Sequence, residues 1–172
     1  MIRLVAILSL VLSQTPNQSL APFAATPEDV VARMLALAEV KPGDTVYDLG
    51  CGDGRIPIAA AKLGARGVGI DIDPQRIAES WANAKAAGVE GGVDFRVQDA
   101  MTVDLTDASV VTLYLLGSSN AKLRPMLTTR LKPGARIVSH AFSMGRDWPA
   151  DKIDQFVNAS GDQVTLYLWK IK

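Results

Sequence analysis

One cysteine and one histidine, Cys51 and His140, are all that the 172 residues offer of either type. A single thiol excludes an internal disulfide and any cysteine-based metal cluster, and no metal is expected. Charge of one sign is missing as well. Eighteen basic and eighteen acidic residues cancel, which leaves none of the basic footprint of a nucleic-acid binder. The chain has no internal repeat, low-complexity tract or long charge run. Its N-terminal apolar stretch, Leu4 to Leu12, is too short to span a bilayer. What remains is enough for one domain with a sheet covered by helices on both faces.

Arg3 precedes that apolar stretch, and Val11 and Ser13 are small residues at the minus-three and minus-one positions of a cleavage before Gln14. Residues 1–13 therefore read as a signal peptide, giving a periplasmic or exported mature protein. The alternative is an N-terminal helix or interfacial anchor on a cytoplasmic protein. Residues 14–25 form a polar, proline-containing linker, and residues 26–172 the folded domain. Thr26-Pro27-Glu28-Asp29 signals a helix start, with threonine as the cap, and Val30, Val31, Met34, Leu35 and Ala38 follow at helical spacing. Phe23 and Thr26 read either as a lid over a ligand or as a staple and cap for this helix.

The informative stretch is Val46-Tyr47-Asp48-Leu49-Gly50-Cys51-Gly52-Asp53-Gly54. Its apolar start predicts a buried strand, its glycines a tight turn, and the alanine-rich Arg55 to Leu63 a helix. Such a turn brings unpaired backbone N–H groups close to a ligand. Cys51, between two glycines, reads as a small loop residue. About twenty residues after Gly50, a second apolar strand, Gly67 to Ile70, ends in Asp71, placed to accept both hydroxyls of a ribose. The glycines are not spaced as G-x-G-x-x-G, and Asp48 and Asp53 beside them would repel a pyrophosphate. They suit a cationic ligand such as S-adenosylmethionine (SAM), with its ammonium and sulfonium.

Asp73-Pro74 opens a further helix, Gln75 to Ala87, in which Ile77 and Trp81 share a face read as core. Val93 to Val97 is the third strand, and the following Asp99-Ala100 suits an adenine, the acid accepting its amino group and the small neighbour admitting the ring. Ser109 to Leu116 is the fourth strand, leaving through Gly117-Ser118-Ser119-Asn120 into a helix, Ala121 to Leu131. Ala135 to Phe142 is the fifth strand, with His140 near its end. Ile153 to Val157 and Val164 to Ile171 read as a closing antiparallel hairpin. The expected fold is α/β, a doubly wound, mainly parallel seven-stranded sheet, with Asp48, Asp71, Asp99, the 114–120 segment and His140 at carboxyl ends of strands.

Asp48-Leu49-Gly50-Cys51-Gly52-Asp53-Gly54 resembles the first motif of the class I, seven-strand SAM-dependent methyltransferases. Together with Gly67 to Pro74, Val111 to Leu116 and Arg136 to His140, it is similar to the small prokaryotic relatives of mitochondrial protein-lysine methyltransferases acting on the ATP/ADP carrier and the ATP synthase c-subunit. The likeness covers about Pro22 to Asp151. Gly117 stands where that pattern usually has proline, and the absence of Asn/Asp-Pro-Pro-Tyr speaks against adenine and glutamine-amide methyltransferases. The resemblance implies SAM as cofactor, with Asp48, Gly50, Gly52 and Asp53 at its methionine end and Thr26, Cys51 and Gly54 among its further contacts. Asp71 falls to the ribose, Asp99 with Ala100 to the adenine, and Ile72 is a further cofactor contact. Tyr114 and Asn120 would orient the acceptor, with His140 as proton acceptor or satisfied core residue. The expected reaction is methyl transfer to an amine, a protein lysine first; a small-molecule acceptor or SAM binding without catalysis are the alternatives.

Overall fold

A computed structural model describes residues 19–172. The expected signal or anchor, residues 1–13, and the first part of the linker lie outside the described residues. The chain runs through α1 (Glu28–Leu37), β1 (Thr45–Leu49), α2 (Arg55–Lys62), β2 (Arg66–Asp71), α3 (Pro74–Ala86), β3 (Val93–Val97), β4 (Val110–Leu113), α4 (Gly117–Arg130), β5 (Arg136–His140), β6 (Lys152–Val157) and β7 (Gln163–Lys170).

These strands form one seven-stranded sheet in the order β3-β2-β1-β4-β5-β7-β6. The first five are parallel, and β7 pairs antiparallel with both β5 and β6. Strand alternation sorts the core into two layers. Val46, Val110, Val138, Leu166 and Leu168 face the buried side of α1 and α2, while Leu49, Ile70, Leu113, Ile137 and Trp169 pack with Leu123 and Leu127 of α4. The chain builds outward from β1 to β3, then returns to the centre and builds the other way from β4. The order reverses between β1 and β4, and in open α/β sheets ligands bind outside the carboxyl ends of the strands at such a point.

Several boundaries differ from the sequence expectation. Thr26 does not cap α1: Pro27 holds the cap position, without a side-chain hydrogen bond, and Thr26 is buried one residue upstream. Strand β4 stops at Leu113, where its pairing with Ser139 ends, so Tyr114 to Leu116 are loop. Gly117 to Asn120, expected as the exit loop, is the first turn of α4. Ile77 is core, but Trp81 is 38% exposed and meets the edge of Phe95 with ring centroids 5.3 Å apart. Helix α3 lies over β2 and the edge strand β3, so its outer flank finds nothing further to bury against.

Candidate active site

The site begins where β1 ends. Gly50, Gly52 and Gly54 all have positive φ, at 87°, 55° and 80°, a region that side chains disfavour. At Gly52 space is restricted too: an added Cβ would lie 2.4 Å from Phe23 Cε2. The loop's donors are already occupied. Gly50 and Cys51 N–H both donate to Ile70 O, at 2.8 and 3.0 Å, and Gly54 N–H donates to Cys51 O at 2.9 Å. Gly52 N–H donates to Asp71 Oδ2 at 2.9 Å. The expected cradle of unpaired N–H groups is thus absent at these four positions. The loop is knitted to β2 and offers a ligand space and carboxylates.

Two adjoining cavities share Phe23, Ala24, Gly50 and Tyr114. The larger, about 230 Å³, lies over the ends of β1 and β2 and includes Asp71, Ile72, Asp99 and Ala100. Asp71 Oδ1 accepts from Asp73 N–H at 3.0 Å, so each carboxylate oxygen has one backbone donor and a lone pair left to offer. Asp99 Oδ1 caps the short turn at Met101 N–H at 2.9 Å.

The smaller cavity, about 20 Å³, is bounded by Thr26, Asp48, Cys51, Gly52, Asp53 and Arg55. Asp48 is only 3% exposed and accepts a 2.7 Å hydrogen bond from Thr112 Oγ1. Burial pushes its carboxyl up to about 7, the neighbouring Asp71 and Asp53 add to the rise, and the Thr112 hydroxyl opposes it. Asp53 behaves oppositely. Burial would raise it, but Arg55 grips both its oxygens, at 2.5 and 2.9 Å, and holds the carboxyl below its ordinary value. Arg55 also donates to Thr26 O at 2.8 Å. Cys51 is buried between Ile58, Ile77 and Phe95, and burial pushes its thiol up, away from a reactive thiolate.

Tyr114 lies at the junction of the two cavities, but the other two expected acceptor-side residues do not line them. Asn120 is fully buried and turns its amide into the fold, donating to Ser139 Oγ and Phe142 O, both at 3.1 Å. His140 is buried beneath Tyr114, with ring centroids 4.0 Å apart and an interplanar angle of 30°. Burial lowers its pKa, and its Nδ1 has no partner among the described residues.

Sequence reasoning missed most of the strap formed by residues 19–24, which lines the larger cavity. Ser119 Oγ donates to Leu20 O, and the Arg76 guanidinium sits 4.7 Å from the Phe23 ring centre. Arg76 also lines the cavity and was not anticipated. Of Phe23 and Thr26, read as lid or staple, Phe23 lies against Gly52 and both line the smaller cavity.

The ANTKMT methyltransferase domain matches residues 48–152. The chain is 43% identical over 152 residues to a protein-lysine N-methyltransferase of Saccharolobus islandicus (strain REY15A), covering 87% of this chain and 93% of that one. It is similar to an RNA methyltransferase from Salinibacter ruber, solved in complex with S-adenosyl-L-homocysteine. The TM-score is 0.79 at 51% identity, over 86% of this chain and 94% of the other. A SAM-dependent methyltransferase from Thiobacillus denitrificans, also with S-adenosyl-L-homocysteine, aligns at TM-score 0.58 and 29% identity, over 67% of this chain and 48% of that one. With that family's domain spanning both glycine loop and switch-point cavity, the chain belongs to the ANTKMT methyltransferase family and is a class I methyltransferase.

Proposed function

We propose that this chain transfers a methyl group from SAM to an amine, the side-chain amine of a protein lysine. The observation that carries this reading is the pairing of two joined cavities at the switch point, one ending on Asp71 and the other on the buried Asp48. The residues present fit the cofactor. Asp71 has acceptor capacity for two ribose hydroxyls, with Ile72 beside it, and Asp99 with the small, buried Ala100 suits an adenine. Of the two acids on the smaller cavity, Asp48 is the one that an ammonium or sulfonium would favour, because Asp53 is already paired with Arg55 and Asp48 has no cationic partner among the described residues. Asp53 acts chiefly by fixing Arg55, and through it Thr26 O.

SAM supplies a methyl group on a sulfonium, an already activated leaving group. The chain's own task is then to hold donor and acceptor in line, to exclude water and to receive the amine as the neutral base. Tyr114, at the cavity junction, is placed to orient that amine, and Phe23 with the strap to cover the donor.

The lysine assignment draws on the Saccharolobus relative, whose likeness extends over nearly the whole of both chains. The Salinibacter neighbour favours a second reading, an RNA acceptor, against which stands the equal number of acidic and basic residues. Incubation with methyl-labelled SAM and separate protein, RNA and small-molecule fractions tests the proposal. Label in protein, recovered as methyl-lysine, is the expected result. Label in RNA or small molecules alone overturns the acceptor, and no label in any fraction leaves a SAM-binding protein without catalysis. The reading of residues 1–13 supports export; N-terminal sequencing of the mature protein, expected to begin at Gln14, tests it.

A further inference from the structure

The residue after His140 is held in a backbone conformation that it would not choose. Ala141 has φ 65°, and Phe142 N–H donates to His140 O at 2.8 Å, closing a three-residue turn around it. A γ-turn with positive φ at its centre is the rare and strained form. Such strain persists only where the surroundings over-determine it, and it gathers at functional sites. Here the restraints are explicit. Ser139 Oγ donates to Phe142 O at 2.6 Å, and Asn120 Nδ2 donates both to that carbonyl and to Ser139 Oγ. Ala141 N–H donates to Thr165 O of the neighbouring strand at 2.8 Å. Four hydrogen bonds from three elements thus clamp one turn at the end of β5.

The clamp fixes His140. Parallel register ends with Leu113 opposite Ser139, so the next residues, Tyr114 and His140, lie side by side and their rings stack. His140 makes no side-chain hydrogen bond among the described residues, its Nδ1 is buried without a partner, and burial lowers its pKa from the ordinary imidazole value. The imidazole thus meets the phenol with its ring face, while its Nδ1 serves no other group among the described residues.

We propose that His140 is a positioning residue: the Asn120–Ser139 clamp on the Ala141 turn presses its ring against Tyr114 and holds the phenol at the junction of the two cavities. The inference rests on the methyl-transfer reading above. It assigns His140 no proton transfer, because stacked rings set the imidazole against the face of the phenol and not in line with its hydroxyl. It also gives Asn120 a role despite its distance from the cavity lining.

The test uses full-length protein carrying 3-fluorotyrosine, which reports Tyr47, Tyr114 and Tyr167 as separate fluorine resonances. Tyr114→Phe assigns the Tyr114 line. In His140→Ala that line alone is expected to move toward the free-tyrosine position, while kcat falls about tenfold or more and SAM affinity stays within about twofold. His140→Phe keeps a flat ring and is expected to keep the line and restore most of kcat. Asn120→Ala, which touches neither ring, is expected to move the line in the same direction and serves if His140→Ala does not fold. An unmoved Tyr114 line in the variants that fold overturns the proposal. So does a His140→Phe protein that keeps the line yet stays as slow as alanine, since the imidazole would then act chemically. A wild-type protein that transfers no methyl group to any acceptor sinks the proposed function instead, and the resonance still decides the ring contact.

Discussion

Replacing Asp48 by asparagine is expected to stabilise the ligand-free protein at alkaline pH and to weaken its hold on SAM. The Asp48 carboxyl lies at about 7 in the fold, against an ordinary 3.8. A gap of about three pH units corresponds to about 4 kcal/mol, each unit being worth about 1.4 kcal/mol. The sign follows from which state holds the proton. Below about pH 4 the carboxyl is protonated both folded and unfolded, and it imposes no penalty. Between pH 4 and 7 the unfolded chain loses the proton while the fold retains it, so stability drains away as pH rises, and the loss is complete above 7. Asparagine has nearly the same shape, can still accept from Thr112 Oγ1, and never ionises. Urea titrations from pH 4 to 8 should therefore show no gain for Asp48→Asn at the acid end and a gain approaching about 4 kcal/mol at pH 8, with relaxation of the site reducing it. Calorimetry at pH 8 should show weaker SAM binding by the same variant. A pH-independent stability difference, or a variant less stable than wild type at pH 8, would refute the reasoning.

Further outcomes follow from the same geometry. Asp71→Ala removes the acceptor of Gly52 N–H and, on the proposed reading, both ribose contacts; SAM affinity should fall by at least about a hundredfold with far-ultraviolet circular dichroism unchanged. Ala141→Gly relieves the positive φ at the end of β5 and should raise unfolding stability by about 1 kcal/mol in urea, unlike an ordinary alanine-to-glycine change. Gly52→Ala drives a methyl group into the Phe23 ring at positive φ; protection of the strap against limited proteolysis should fall, and SAM binding with it.

Much of the architecture was legible because its elements carry local signals. Strand β3 has the bounds expected from Val93 to Val97, and Asp73, whose Oδ1 accepts from Gln75 N–H at 2.8 Å, caps α3 as its Asp-Pro start implies. The acids could be placed because an acid closing a parallel strand has its position set by strand length and turn length alone. What failed depended on distant partners. Gly117 to Asn120 are poor helix formers, yet Ser119 reaches Leu20 and Asn120 reaches Ser139 and Phe142, and those contacts settle the first turn of α4. The strap at 19–24 has no periodicity, and its place is set by Ser119, Gly52 and Arg76, each far away in sequence. The loop's N–H groups were expected to face a ligand because glycine turns often do so. Nothing in the glycine spacing revealed that Ile70 O would take two of them.

Calorimetric titration of the full-length protein with SAM, S-adenosyl-L-homocysteine and NAD, each in parallel, tests the central claim most directly. Saturable micromolar binding of the two adenosyl ligands, without NAD and lost in Asp71→Ala, is the predicted result. Preference for NAD, or no binding of either adenosyl ligand, would contradict the account.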